Sequence, residues 1–399
     1  MKLSLALEIA GNQLQDYDDT LQVYQTARTQ DWDSLSMAGP AAESARENLH
    51  RYIAELQEPS RQADHAAAIL YAYAALQRQQ EKLLERVTRF FGDIDHLPLA
   101  GHAQAFLLDK IRGLGEALDF ACAAELSAMC NPELNRPPQR LGDVPELSLP
   151  ALHELNYAMA DTEVQELLDA HPDTLLLEVS EGRMVALVAP EGLSTEPAQI
   201  TTFVPGVNSS DASGWSGQLE RGRALAQNTG GATAVWLGYQ APKHALPAVN
   251  SQPAQAAAQE LTRFQKSLRQ RFPTAQSTLI GYSYGSVVAG YAAATSGEAA
   301  GGKRKNHHQL ADDLVYVGSP GIPAEGANPP GIRTWAATNA HDPIGLATGP
   351  FGGIHGIDPS HPLSGIPELP GANELPGDHS SYWDDPAFLE GLRKISKPN

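Results

Sequence analysis

Between Ser277 and Gly290 the chain reads STLIGYSYGSVVAG: a short apolar run, a Gly-x-Ser-x-Gly turn, then small and apolar residues at helical spacing. Strand, tight turn and helix in that order lift a serine hydroxyl, here Ser283, clear of the end of a sheet. Gly281 and Gly285 flank it because the turn brings strand and helix too close together for larger side chains. A hydroxyl attacks a carbonyl only when a base takes its proton and a third group orients that base. Downstream, Thr334-Trp335-Ala336-Ala337-Thr338 reads as a strand and runs into Asn339-Ala340-His341-Asp342-Pro343, which puts Asp342 where an orienting carboxylate is expected. Gly377-Asp378-His379-Ser380-Ser381-Tyr382-Trp383 reads as a loop before a terminal helix at Asp385 to Leu392, and His379 is the expected base. Two backbone N–H groups should hold the developing oxyanion. One is that of Tyr284, next to the nucleophile. The other comes from Val204-Pro205-Gly206-Val207-Asn208 after the first parallel strand, at Val207 or, alternatively, at Asn208.

Other residues compete for these roles. His341 adjoins Asp342 and is the rival base, although a strand end constrains it. Asp358, in His355-Gly356-Ile357-Asp358-Pro359, is the rival acid, in a segment that otherwise reads as a glycine- and proline-rich loop over the site. Of His341, His355, His361 and His379, no pair has the i, i+4 spacing of a helical metal site and no cysteine joins them. No metal and no cofactor is therefore implied. His307-His308, beside Lys303-Arg304-Lys305, reads as a solvated loop.

The elements that must position these residues fall into two textures. Up to Cys130, proline and glycine are scarce and apolar residues recur at i, i+3 and i+4, so residues 1–130 read as a helical bundle. Its longest segment, Arg61 to about Phe91, carries Ala68, Leu70, Tyr73, Ala75, Leu76, Leu83, Leu84 and Val87 as the expected core stripe, and a further helix spans Gly101 to Cys130. Residues 131–150 carry Pro132, Pro137, Pro138, Pro145 and Pro150 and read as a linker. From 151 to 399 strands alternate with helices. A helix at Thr162–Ala170 and a hairpin (Thr174–Val179, Met184–Val188) come first. Strands at Ile200–Val204, Thr233–Leu237, the elbow strand, Leu314–Val317 and Thr334–Thr338 follow. This pattern demands a mostly parallel sheet with flanking helices, the α/β class, and the serine turn follows the third parallel strand. That is the order of the α/β-hydrolase fold.

Composition narrows the partners. With 399 residues, 42% of them hydrophobic, and a formal charge of -19, the chain reads as a soluble globular protein of more than one domain. The acidity excludes nucleic acid and a basic membrane-docking face. No apolar run reaches the length of a membrane span. The opening MKLSLALEIA is interrupted by Glu8 too early for a cleaved signal peptide, so the expected location is the cytoplasm or an export route without one. Cys122 and Cys130 would stand about 12 Å apart on one helix, too far for a bridge, and are read as reduced and non-catalytic.

Several of these motifs together resemble an actinobacterial α/β-hydrolase family of unknown function. They are the elbow Gly281-Tyr282-Ser283-Tyr284-Gly285-Ser286, Val317-Gly318-Ser319-Pro320-Gly321, His355-Gly356-x-Asp358-Pro359, His379-Ser380-Ser381-Tyr382, and Trp236-Leu237-Gly238-Tyr239 with Pro242. The resemblance covers Leu175 to Leu392 and implies a serine hydrolase using Ser283, Asp342 and His379. A looser similarity to cutinases implies a loop-borne histidine, consistent with the lack of a clear strand between Asp342 and His379. The expected function is hydrolysis of a carboxylic ester, with a small-molecule or lipid ester as substrate and a cell-envelope lipid as one version of it. The alternative is a non-catalytic binding protein that engages a protein partner through its helical half and carries a vestigial hydrolase domain. The helical half also resembles exported actinobacterial helical hairpins, though Trp32 and Gly39 do not form their tight W-x-G turn. Cap, secretion module and partner-binding module are its three candidate roles.

Overall fold

The computed structural model describes residues 2–34, 36, 38–93, 100–130, 140–189, 197–242, 250–298, 309–346, 348–349, 352–372 and 377–396. They form two compact units, Met1–Ala100 with Leu107–Pro137 and Gly101–Phe106 with Pro138–Asn399. The first part of the expected linker, residues 131–139, and the His307-His308 loop lie outside the described residues.

The first unit is helical: α1 (Leu3–Asp33), α2 (Pro40–Glu55), α3 (Gln57–Asp93) and most of α4 (Ala100–Cys130). The buried stripe of α3 differs from the expected one. It runs through Ala63, Ala67, Leu70, Ala74 and Gln77 at alternating spacings of four and three, while Leu76 and Leu83 are exposed. Alanine on the seam lets helices approach closely, so size alone is a poor guide to which face is inside. Ser4 Oγ donates to Glu81 (2.7 Å), Gln77 to the Gly115 carbonyl (2.7 Å) and Gln80 to the Ile111 carbonyl (2.6 Å). Cys122 is a free thiol packed with Ile69 and Leu70. Burial, then Asp119 and Glu125, push its pKa up to about 11, which makes it a poor nucleophile. Helix α4 is continuous as far as Cys130.

In the second unit, α5 (Leu149–Met159) and α6 (Thr162–Ala170) precede the sheet. Helix α5 falls partly where the sequence reads as linker. Ser148 Oγ accepts the Ala151 N–H (3.3 Å), and Pro150 occupies the first turn, where a missing N–H costs nothing. The strands are β1 (Thr174–Ser180), β2 (Arg183–Val188), β3 (Gln199–Val204), β4 (Ala232–Leu237), β5 (Gln276–Tyr282), β6 (Asp313–Val317) and β7 (Arg333–Ala337). They lie in the order β1-β2-β4-β3-β5-β6-β7, with β1 and β2 antiparallel to their neighbours and β3 to β7 parallel. Helices α7 (Trp215–Thr229), α8 (Gln252–Arg271), α9 (Tyr284–Glu298) and α10 (Pro386–Ile395) complete the unit. Strands β4 and β6 are buried along their whole length, which is why they read as unbroken apolar runs.

Between Asp342 and His379 there is a two-residue hairpin, β8 (Thr348–Gly349) with β9 (Gly352–Gly353), outside the main sheet. In place of an eighth strand, the Ala336 N–H donates to the Pro367 carbonyl (3.0 Å) and the Leu369 N–H to the Ala336 carbonyl (2.8 Å). These two bonds partly cover the free edge of β7. Among the described residues no helix is long and apolar enough to cross a membrane.

Helix α10 is held to the sheet by Phe388, fully buried and edge-on to both Tyr382 and Trp383 (5.6 and 5.7 Å between ring centres). Phe388→Ala should lower the stability of this unit by about 3–5 kcal/mol. The measurement is the urea midpoint of the second unit; an unchanged midpoint would mean that α10 contributes little to the core.

Candidate active site

Ser283 sits between β5 and α9 with φ of 53°, a left-handed backbone that a serine rarely adopts. Its N–H donates to the Val317 carbonyl (2.9 Å), and its own carbonyl accepts the Ser286 hydroxyl (2.6 Å). The turn leaves no room beside it. A Cβ at Gly285 would stand 2.1 Å from the Val204 carbonyl oxygen, and one at Gly206 would stand 2.6 Å from the Ser283 Cβ. The loop after β3 therefore passes directly against the serine.

His379 comes from the loop that enters α10. Its Nε2 lies 3.0 Å from Ser283 Oγ, and its Nδ1 lies 2.9 and 2.8 Å from the two carboxylate oxygens of Asp342. A carboxylate only accepts, so Nδ1 carries the proton and Nε2 turns its lone pair to the serine hydroxyl. The loop is anchored from several sides. The Tyr282 ring stacks on the imidazole (5.1 Å) and its hydroxyl donates to the His379 carbonyl, while Asn339 Nδ2 donates to the Asp378 carbonyl (2.7 Å). The imidazole is still partly exposed, whereas the Asp342 side chain is wholly buried.

Asp342 is satisfied by three donors. Besides His379, the Tyr382 hydroxyl donates to Oδ2 (2.6 Å) and the Ile344 N–H to Oδ1 (2.9 Å). Burial alone would raise its pKa. The hydrogen bonds from His379, Tyr382 and Ile344 outweigh that and hold the carboxyl below its usual range. Tyr382 in turn accepts the Asn339 N–H (2.9 Å), and burial, then its bond to Asp342, raise the pKa of its phenol. The role of Tyr382 is not drawn from the sequence, although its place three residues after His379, in one tight turn, was available as a signal.

The remaining expected residues sort by what they already touch. The Asn208 N–H donates to the Pro242 carbonyl (2.8 Å), so it is not available to an oxyanion. Among the described residues, none accepts the Val207 N–H, and Tyr284 opens α9, where the first N–H groups have no helical partner. The Pro205-Gly206 backbone is pinned by the buried Tyr239, whose hydroxyl donates to the Pro205 carbonyl (2.7 Å). Asp358 closes a local turn by accepting the Ser360 N–H (2.9 Å), and it is Asp342 that holds the imidazole. His341 is exposed, with its backbone N–H on the Gly377 carbonyl (3.2 Å).

Residues 181–350 match a family model described as Alpha/beta hydrolase. The second unit carries an alpha/beta hydrolase domain. The matched span includes Ser283 and Asp342 and ends before His379. Similar solved structures include an esterase from Pyrobaculum calidifontis in its monoclinic form (13% identity, 63% of this chain, 92% of that chain, TM-score 0.35). Carboxyl esterase 2 from the mycorrhizal fungus Tuber melanosporum is another (15%, 56% and 83%, 0.35). So is a fungal esterase from Rhizomucor miehei (14%, 70% and 94%, 0.38). No curated protein matches the chain significantly.

The lowered pKa of Asp342 has a definite sign. Its contribution to the stability of the alpha/beta hydrolase domain is present above the unfolded carboxyl value, about 3.9, and is lost as pH falls through the lower folded value. The stability gap between the native protein and Asp342→Asn should therefore be constant from pH 7 to 5 and narrow below about pH 4. Urea midpoints across that range measure it; a gap that stays the same at pH 3 would show that the carboxylate charge is not what its partners hold.

Proposed function

We propose that the alpha/beta hydrolase domain is a serine hydrolase acting on carboxylic esters. The observation that carries this reading is the unbroken hydrogen-bonded chain from Ser283 Oγ through His379 to Asp342, at 3.0 Å and 2.8 Å. In this reading Ser283 Oγ attacks the ester carbonyl carbon while His379 Nε2 takes its proton. Asp342 keeps the imidazole in its tautomer and balances the imidazolium that forms. The N–H groups of Tyr284 and Val207 receive the negative oxygen of the tetrahedral intermediate, which the N-terminal end of α9 also favours. Collapse breaks the ester C–O bond, and the alkoxide leaves with the proton from His379. A water molecule, deprotonated by His379, then releases the acid from Ser283. The balance is one ester and one water consumed, one carboxylic acid and one alcohol formed. No metal or cofactor enters any step.

An ester is the acyl donor that asks least of this constellation, because an alkoxide is a better leaving group than an amide nitrogen, which must be protonated before the C–N bond can break. The choice of ester over amide is otherwise an argument by fold. The helical unit is assigned no chemistry.

A fluorophosphonate probe should label the full chain, and short p-nitrophenyl esters should be hydrolysed. Ser283→Ala should abolish labelling and lower kcat by roughly 10⁴-fold or more. A folded protein that neither labels nor turns over would remove the hydrolase reading. Turnover that survives in Ser283→Ala would move the nucleophile elsewhere.

A further inference from the structure

Strand β6 lies next to β5 in the sheet, so the turn that leaves β6 at Val317-Gly318-Ser319-Pro320-Gly321 passes beside the Ser283 turn that leaves β5. Its first three residues all bear on the candidate site. The Val317 carbonyl accepts the Ser283 N–H (2.9 Å). Gly318, with φ of 50°, has its N–H on the Ala337 carbonyl (2.9 Å) at the end of β7. A Cβ there would stand 2.8 Å from Asp342 Oδ2 and 3.2 Å from His379 Nδ1, so the backbone passes against the acid–base pair. Ser319 is buried, and its hydroxyl lies 2.7 Å from that of Ser286, which is fully buried on α9.

The proton positions follow from counting donors. Ser286 Oγ is also 2.6 Å from the Ser283 carbonyl oxygen, which can only accept. Ser286 has one hydroxyl proton and gives it to that carbonyl, so the Ser319 hydroxyl donates to Ser286 Oγ. Ser319 Oγ in turn accepts the Gly321 N–H (3.2 Å). The result is a one-way chain of donors, from the Gly321 amide through Ser319 and Ser286 to the Ser283 carbonyl. Both hydroxyls are satisfied, as buried ones need to be.

The carbonyl at the end of this chain has a particular partner. Ser283 C=O and Tyr284 N–H belong to one peptide group, which is planar and trans. Their bonds point in opposite directions, so whatever fixes the carbonyl oxygen also fixes the direction of the Tyr284 N–H. That N–H is one of the two oxyanion donors in the proposed reaction. It follows a residue held at φ of 53°, a conformation that persists only where its surroundings enforce it.

We propose that Ser319 is a positioning residue: through Ser286 it locks the Ser283–Tyr284 peptide plane and so aims the Tyr284 N–H at the oxyanion. The inference rests on the serine hydrolase reading and adds to it a residue that, among the described residues, bonds to none of the three triad side chains. The direction of an oxyanion donor matters most once charge has developed on the oxygen, so the effect belongs to the transition state. Ser319 therefore acts on kcat and leaves KM alone.

The experiment compares hydrolysis of p-nitrophenyl butyrate by the full chain as native protein, Ser319→Ala, Ser286→Ala and the double variant, with near-UV circular dichroism as the check on folding. Inhibition by a trifluoromethyl ketone, which adds to the serine as a tetrahedral oxyanion, is measured alongside. Ser319→Ala should lower kcat about tenfold, less than the roughly 10²–10³-fold lost when an oxyanion donor is removed outright, with KM nearly unchanged. The inhibition constant of the ketone should rise by the same factor as kcat falls, a match that a merely structural role would not produce. The double variant should be no slower than Ser286→Ala, because Ser319 acts through Ser286. Unchanged kcat in Ser319→Ala, or a rise in KM alone, overturns the proposal. Losses that multiply in the double variant overturn the route through Ser286. Should Ser319→Ala not fold, Ser286→Ala decides alone, and unchanged kcat and ketone affinity there overturn the proposal. Failure of the hydrolase reading is told apart by the native protein, which would then neither label with fluorophosphonate nor turn over, and would leave Ser319 no reaction to serve.

Discussion

Everything at the candidate site depends on the left-handed backbone of Ser283. A non-glycine residue in that region costs of order 1–3 kcal/mol and persists only where its surroundings leave it no alternative. Here they leave none. The N–H of Ser283 is fixed to Val317 on the neighbouring strand and its carbonyl to the Ser286 side chain. The Val204 carbonyl occupies the space that a side chain at position 285 would need, and Gly206 presses against the serine Cβ. The strain is thus held by the sheet, and its result is a hydroxyl projected out of the β5–α9 turn into reach of the imidazole.

The second requirement is a carboxylate that stays ionised while buried. Removing a charge from water is costly unless hydrogen bonds replace the solvent. Asp342 gains three donors, the imidazole and the Tyr382 hydroxyl from the histidine loop and the Ile344 amide from its own loop. Tyr382 is itself fixed by Asn339, whose side chain also holds the Asp378 carbonyl. Acid loop and histidine loop are therefore one hydrogen-bonded assembly. The His379 imidazole is thereby held through its carboxylate partner and its own loop together. The short pairing of Pro367 and Leu369 with Ala336 ties the segment between Asp342 and His379 to β7 through backbone hydrogen bonds.

Much of this architecture can be read from the sequence because buried parallel strands leave a strong local signature. Strands β3 to β7 appear as apolar runs within a residue or two of their ends, and the Gly-x-Ser-x-Gly turn dictates what lies on either side of it. What escapes the sequence has a common cause. Helix α5 is hidden by Pro145 and Pro150, because a proline such as Pro150 means linker or first helical turn depending on the Ser148 cap two residues before it. The seam of α3 falls on alanines because helix approach, a tertiary property, decides which residues are inside. Asp358 and Asp342 both follow chemically plausible motifs, and only the fold separates the one that closes its own turn from the one that meets His379. Tyr382 likewise acquires its function from a partner 40 residues away in sequence.

The aromatic side chains near the loop after β3 extend the same logic. Trp236 stacks on Tyr239 (5.7 Å, 11° between planes), and Tyr239 stacks on Tyr284 (6.5 Å, 11°). Tyr239 also donates to the Pro205 carbonyl, so one buried ring touches the Trp236 indole, the loop beside Ser283 and the residue that follows Ser283. Packed rings in van der Waals contact transmit position, but they couple two sites only if some element has two arrangements to choose between. In this ladder the Tyr239 hydroxyl is bonded and its ring is buried. Its physical role is therefore to hold the Pro205-Gly206 backbone against the serine at fixed depth, with the indole as its outer support.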